Sequence, residues 1–430
     1  MHRASRAILG LVVAIAACDS AEPVGEAERR APASPACDPD DGGLRLPTGF
    51  CALVVADDLG RARHLAVGGN GDVFVAIRGE GGGVVALRDS DGDGRADQRE
   101  RFFDTGGTGI ARLGAWLYLA TDTAIVRWRL EPGELVPSAP PEPVVEGFPE
   151  QRSHPVKPFE IDDAGWLYVN VGAPSNSCQE QDRAQGSPGL DPCPLLDRSA
   201  GVWRFRADRL GQRFEDGERF ASGIRNGVAN DWNPLTRRLY VAQHGRDQLH
   251  ESWPALYDAR DGAELPAEEL FEVDAGDDFG WPYCYYDHRV GKKVLAPEYG
   301  GDGERVGRCA RYEDPLVAFP GHWAPNDLLF YTGELFPERY RGGAFIAFHG
   351  SWNRTAPQQG YRVSFVPFDG SAPAGDPETF ADGFAGTDAV ANPGEAAHRP
   401  MGLAQGVDGS LFISDSVRGR LWRVLHRGAR

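Results

Sequence analysis

From Cys37 onward the chain repeats one pattern: a short polar turn, often Asp-Gly or Asn-Gly, then an apolar run of Leu or Val, an aromatic, and Val or Ile. The copies are Asn70–Val75, Gly114–Leu119, Ala164–Val169, Arg238–Val241, Gly343–Ala347 and Asp408–Ile413. Most are followed by a second run rich in Val, Trp and Arg: Val84–Leu87, Ile125–Trp128, Val202–Phe205, Tyr361–Ser364 and Leu421–Val424. Short apolar runs bounded by Gly and Asp turns read as paired strands. Six copies of one hairpin at irregular spacing predict an all-β chain, a six-bladed β-propeller with long inserted loops on one face. The widest gaps fall between the third and fourth copies and between the fourth and fifth. A β-sandwich, the other all-β solution, needs far fewer residues. Helical windows are scarce, and Glu268–Phe271 reads as at most a turn.

The N-terminus breaks this pattern. His2, Arg3 and Arg6 precede the apolar run Ala7–Ala17, which is too short to span a bilayer and has the length of a signal-peptide core. It ends in Ile-Ala-Ala-Cys, so residues 1–17 are expected to be a lipoprotein-type leader and Cys18 the lipidated first residue, with a plain leader and an incidental Cys as the alternative. Residues 18–36 are rich in Ala, Pro and Glu and read as a flexible tether, leaving 37–430 for the propeller. The protein is expected outside the cytoplasm, periplasmic or at the cell surface, touching a membrane only through its lipid.

Composition sharpens this picture in three ways. The 55 Gly and 32 Pro suit many tight turns. The net charge of −18 disfavours a phosphate backbone, so nucleic acid is not expected as a partner. Besides Cys18 there are six cysteines: Cys37, Cys51, Cys178, Cys193, Cys284 and Cys309. Six allow 15 connectivities. Short loops close most readily in an oxidising compartment, which favours 37–51, 178–193 and 284–309. No CxxC occurs, which weakens zinc and redox-motif readings.

Several stretches carry chemistry. Asp89–Glu100 (DSDGDGRADQRE) matches a calcium loop at every defined position. Asp89, Asp91 and Asp93 offer hard oxygens, Gly94 permits the turn, and the Arg95 carbonyl, Asp97 and Glu100 would complete the shell. An acidic turn without metal is the alternative reading. His154 lies in a polar turn just before the third strand copy, where a propeller brings it near the axis; it is a candidate general base. Arg225-Asn226 precedes the fourth copy, and an Arg fork suits a carboxylate. Phe279–Cys284 (FGWPYC) and His349–Arg354 (HGSWNR) are aromatic turns that could stack on a flat ligand or pack a blade edge.

Taken together, the segments IRN, QHGRD, GWPYC, FYTG, FHGSWNR, RPMGL and DGSLFISD resemble the soluble quinoprotein glucose/sorbosone dehydrogenase family, over about residues 45–425. The resemblance implies a six-bladed propeller that binds pyrroloquinoline quinone (PQQ) and Ca2+ at its axis and oxidises an aldose or sugar aldehyde, passing electrons to an external acceptor. It implies His154 as the base, Arg225, Asn226, His244 and Arg354 as cofactor contacts, and the Gly245 and Arg246 carbonyls as ligands of an active-site calcium. Glucose-oxidising members carry a Lys where Thr332 stands, an Asp that Gly172–Cys178 lacks, and often a Pro at Gly227. Two other functions compete: a non-catalytic lipoprotein propeller that binds carbohydrate or protein, and a calcium-dependent lactonase, which would need several carboxylates converging on one axial metal.

Overall fold

The computed structural model describes residues 35–355 and 357–428. The expected leader, Cys18 and nearly all of the tether lie outside the described residues. Six sheets make up the body, each with four antiparallel strands, and in blade two Gln212–Arg213 adds a fifth strand parallel to Glu142–Glu146. From axis to rim, blade one is Ala62–Val67, Val73–Ile77, Gly83–Arg88 and Gln98–Phe102. Blade two is Gly107–Leu113, Trp116–Thr121, Ala124–Arg129 and Glu142–Glu146. Blade three is Phe159–Ile161, Trp166–Val171, Gly201–Arg206 and Glu218–Ser222. Blade four is Ala229–Asn233, Arg238–Gln243, Glu268–Val273 and Val317–Phe319. Blade five is Pro325–Phe330, Ala344–Phe348, Arg362–Val366 and Glu378–Ala381. Blade six is Pro400–Gln405, Leu411–Asp415, Leu421–His426 and, from the other end of the chain, Phe50–Ala56.

The innermost strands touch in sequence around a closed ring, Pro400–Gln405 returning to Ala62–Val67. Phe50–Ala56 closes it by pairing with Leu421–His426, Phe50 opposite His426. This strand covers the edge that Leu421–His426 would otherwise expose and gives blade six its fourth strand.

The repeated apolar run is the second strand of every blade. Its side chains alternate between the two neighbours. In blade one, Val73, Val75 and Ile77 pack with blade six while Phe74 and Ala76 pack with blade two. Both faces are therefore buried, which explains the unbroken apolar reading. Six such clusters, one per blade junction, form the core. Phe345, fully buried between blades five and six, would cost about 3–5 kcal/mol as Ala.

One expectation is corrected. Glu268–Phe271 is no turn but most of blade four's third strand, hydrogen-bonded across to Leu239–Gln243. Its two buried carboxylates disguised it, since Glu is depleted from strands. Two short helices, Leu249–Ser252 and Ala259–Glu264, lie in the loop before it.

Strand alternation sorts the loops. Connections into each innermost strand, and from second to third strands, share one face of the ring, here called the mouth face. Connections from first to second and from third to outer strands share the opposite face. The mouth face receives the long segments 147–158, 172–200, 223–228, 244–267 and 349–361. The insertion 274–316 starts on the opposite face and climbs the rim beside blade three, where Ser222 bridges Asp278. The disulfides are Cys37–Cys51, Cys178–Cys193 and Cys284–Cys309. The second and third share one buried cluster with Trp281 and Tyr283, and so fasten the insertion to the 172–200 loop.

Candidate functional site at the mouth face

Asp247 is the centre of the mouth. It is buried, and its Oδ2 accepts from Arg225 at 3.0 Å and Arg183 at 2.8 Å. Its Oδ1 accepts from Asn353 Nδ2 at 2.8 Å, with His322 Nδ1 at 3.9 Å. Asn176 clasps its backbone from both sides, Oδ1 accepting the Asp247 N–H and Nδ2 donating to its carbonyl. Against the cost of burial, the two guanidiniums hold the Asp247 carboxyl well below the usual carboxylate range. Five loops thus meet on one charge.

Arg225 is wholly engaged. Besides Asp247 it donates to Asn176 O and Oδ1 and, at 2.8 Å, to Gly245 O. Its fork therefore organises the mouth rather than standing free for a ligand. Arg354 is engaged through its two terminal nitrogens alone, which donate to Ala263 O and Gly321 O and pair with Glu264. Arg246 pairs with buried Glu298 of the insertion. The Gly245 N–H donates to Glu268 at 2.8 Å. His244 donates to Pro325 O at 2.9 Å, and burial lowers it to about 4.

His154 is half-buried with φ 50. Its Nδ1 lies 2.6 Å from Ala173 O. A carbonyl only accepts, so Nδ1 carries the proton and Nε2 keeps its lone pair. Burial and the Arg225 charge push the imidazole down to about 3. It is neutral at any ordinary pH, and the titration expected near an unperturbed histidine moves far into acid.

Asn226 is buried beside it, with Oδ1 unpartnered. Arg246 NH2, Asn353 Oδ1, Arg354 Nε and Arg399 Nε, all on mouth-face segments, are also buried without a hydrogen-bond partner. Buried polar atoms are normally satisfied. These orphans comprise three guanidinium nitrogens and two amide oxygens, a set that suits carboxylates and a hard cation. A slot of about 20 Å³ lies between Arg225, His244, Gly245, Trp281 and one residue of this set, Arg246. Wider hollows of about 210 and 470 Å³ lie on the opposite face among hairpin turns, away from every group described above.

The aromatic turns take different parts. Trp281 donates to Asn176 O, and Tyr283 OH accepts from the Cys193 N–H, so FGWPYC packs the insertion against the site. Trp352 is 56 % exposed.

Down the axis, the innermost strands carry Glu160, Asp231 and Asp327. Burial and mutual repulsion push Glu160 and Asp327 well above the carboxylate range, and burial raises Asp231 to about 7. Lys157, at the top of blade three, is lowered to about 8 by burial.

The calcium-like loop is on the opposite face. It brings Asp89, Asp91 and Asp93 within 4.8 Å of one another. Asp97 instead accepts from Ser90, and Glu100 lies in the outer strand opposite Ala86. A helix would curl the twelfth residue back over the loop; a strand, rising ~3.3 Å per residue, carries it away. The Arg95 side chain leaves the loop for Asp38 and Val54 O. Thr332 also sits on the opposite face, bonded to Gln405, so its difference from Lys does not touch the mouth. Sequence reasoning missed Asn176, Arg183, Asp247, His322 and Asn353. Asp247 and Asn353 stood inside the QHGRD and HGSWNR segments; no local signal marked the others.

The fold and these residues can be set beside known proteins. The chain is 28% identical over 286 residues to a pyrroloquinoline quinone-dependent pyranose dehydrogenase of Coprinopsis cinerea, covering 56% of this chain and 36% of that one. It is 28% identical over 208 residues to an uncharacterized protein of Borreliella burgdorferi, covering 48% of each. It thus spans half or less of the curated relatives it matches. Among solved structures, the holo PQQ domain of the C. cinerea pyranose dehydrogenase superposes with a TM-score of 0.71 at 19% identity, over 89% of this chain and 97% of that one. The calcium structure of a Trichoderma reesei family AA12 protein gives 0.74 at 18%, over 89% and 97%. At such identities these likenesses establish the propeller fold. The TrAA12-like family model matches residues 44–427, nearly the whole described body, and the chain belongs to the TrAA12-like family.

Proposed function

We propose that the protein is a PQQ-dependent sugar dehydrogenase that works outside the cytoplasm, oxidising an aldose, pyranose or sugar aldehyde and handing electrons to an external acceptor. The observation that carries this reading is the geometry of His154: a neutral imidazole with Nδ1 tied to Ala173 O and Nε2 open, next to Arg225, Asp247 and the orphaned Asn226 oxygen. The membership in a family whose relatives include a PQQ-dependent pyranose dehydrogenase supports it.

PQQ, when bound, supplies an ortho-quinone that accepts two electrons as hydride, and Ca2+ beside it polarises a carbonyl. Arg246, Arg354 and Arg399 would receive carboxylates through their unpartnered nitrogens, and the Asn226 oxygen would face a cation or a donor. Arg225 holds the Asn176 and Gly245 carbonyls, and Asp247 holds Arg225. His154 Nε2 takes the proton of the substrate hydroxyl, a base already neutral and correctly protonated at Nδ1. The charge it gains is the one Asp247 is placed to offset.

The Asp89–Asp91–Asp93 loop is proposed as a separate, structural calcium site, and Cys18 as a lipid anchor holding the propeller at a membrane surface. The test of the activity is reconstitution. Purified protein incubated with PQQ and Ca2+ is expected to reduce an artificial dye when given glucose, other aldopyranoses or sugar aldehydes. Absence of dye reduction with all of them would overturn the dehydrogenase reading.

A further inference from the structure

Gln151 stands at the start of the turn that carries His154. Its side-chain Nε2 lies 2.9 Å from Ser153 O, 2.7 Å from His154 O and 2.8 Å from Gly172 O. Two amide hydrogens are thus shared among three carbonyls on two different segments. Its own Oε1 is buried without a partner, so the group is oriented by what it donates.

What it holds is a strained backbone. His154 has φ 50, the left-handed region, which costs a non-glycine residue roughly 1–2 kcal/mol. Pro155 follows at once and disfavours relaxation of His154 into the right-handed helical region. On the other side, Gly172 is an approach point: a Cβ there would sit 2.6 Å from His154 Cβ and 3.0 Å from Asn226 Oδ1. The turn is pressed flat onto residues 172–173, and only then does the imidazole meet Ala173 O. The ring's tautomer depends on that single contact.

We infer that Gln151 is a positioning residue for His154, an amide clamp that docks the 151–154 turn onto Gly172 and thereby fixes the Nδ1–H tautomer that leaves Nε2 free. The inference rests on the reading of His154 as the base for its consequence in catalysis, but the clamp itself can be measured without turnover. Around the ring, Arg225 and His244 oppose its protonation while Asp247 and the Ala173 carbonyl favour it. Loosening the turn exchanges these neighbours for water.

The test uses Gln151→Glu, which keeps the shape and loses both donors, and Gln151→Met, which keeps the length without charge. The full chain is labelled with ¹⁵N-histidine, and the His154 signals are assigned by their loss in His154→Asn. The parent should show one Nδ1–H tautomer that does not titrate between pH 5 and 8; both variants should show mixed tautomers and a midpoint moved toward 6.5. In reconstituted enzyme, kcat should fall ~10–100-fold with KM and PQQ uptake within a few-fold of the parent, the size expected when a reacting group is misplaced by about 1 Å. In the His154→Asn background the Gln151 changes should add nothing. An unchanged His154 spectrum in both variants would overturn the clamp, as would an equal loss of kcat with and without His154. A parent that oxidises no sugar would sink the proposed activity instead, leaving the spectra to decide the clamp.

Discussion

The same six blades end in two unlike faces. On the opposite face the connections are mostly short turns, the Asp89–Glu100 loop is exposed, and its acids satisfy one another's backbone through local bonds such as Gly92 N to Asp89 and Arg95 N to Asp93. On the mouth face long segments from blades three, four and five converge, and a buried carboxylate meets two arginines, an asparagine and a histidine from four loops, while Asn176 holds its backbone. One face is assembled within a dozen residues of sequence. The other exists only once the ring has closed. Local chemistry is therefore readable and replaceable on one face, while on the other each substitution reaches the fold and the site together.

Four substitutions sharpen that contrast. His154→Asn should be the most damaging to activity. Asn tolerates left-handed backbone, so the turn survives and the base is lost. Dye reduction should fall ~10²–10⁴-fold with Tm and PQQ uptake nearly unchanged. In the parent, because burial holds His154 near 3, kcat/KM should show no histidine limb between pH 5 and 8. A limb near 6.5 that His154→Asn removes would mean that the ring is more exposed than its contacts indicate.

Arg225→Ala should strike stability. It leaves Asp247 buried with Arg183 as its remaining guanidinium and strips partners from Asn176 O and Gly245 O. Removing one member of a buried ion pair costs about 3–5 kcal/mol. Chemical denaturation should show that loss in the apoprotein, before any cofactor is added. A variant as stable as the parent but weak in PQQ uptake would return Arg225 to the role of a direct cofactor contact.

Asp93→Ala acts on the other face. Millimolar Ca2+ should raise the parent's Tm by a few degrees, as a ligand in excess of its Kd does, and should not raise the variant's. PQQ uptake should be the same in both. Equal calcium protection in parent and variant would show that the three acids bind nothing.

Asp231→Asn lies between the faces, on the axis, and acts on the pH dependence of stability rather than on activity. Asp231 is raised to about 7 in the fold against an ordinary value of 3.8. The folded state keeps its proton where the unfolded chain gives it up, so the parent loses stability as pH rises from about 4 through about 7. Asn is free of that penalty and can still accept the Phe330 N–H. The Tm difference in favour of the variant should grow from pH 5 to pH 8; a difference independent of pH would show that Asp231 is ionised throughout.

The uneven legibility of the chain follows from the same contrast. The blade count was readable because each second strand must be apolar on both sides, as in Val73–Ile77 and Ala344–Phe348. The three disulfides were readable because their partners are near in sequence. Blade four's third strand was not, because Glu268 and Glu269 bury their carboxylates against Gly245, Ala324, Gln243 and Lys293, partners that only the tertiary fold supplies. His154, Arg225 and Asn226 could be picked out from motifs, but their states could not. That Arg225 is satisfied, that Asn226 Oδ1 is orphaned and that His154 is clamped by Gln151 all depend on segments 20 to 100 residues away. The alternation of strand direction, which the hairpin copies already implied, suffices to place the Asp89 loop and Thr332 on the face away from the site.

The central claim is that the mouth face binds PQQ. Its most direct measurement is an absorption titration of the apoprotein with PQQ in the presence of Ca2+, monitored by the quinone spectrum and by the fraction retained after gel filtration. One equivalent should bind, with a spectral shift, and Asp93→Ala should bind the same amount. No retained PQQ, or retention abolished equally by Asp93→Ala, would contradict the account.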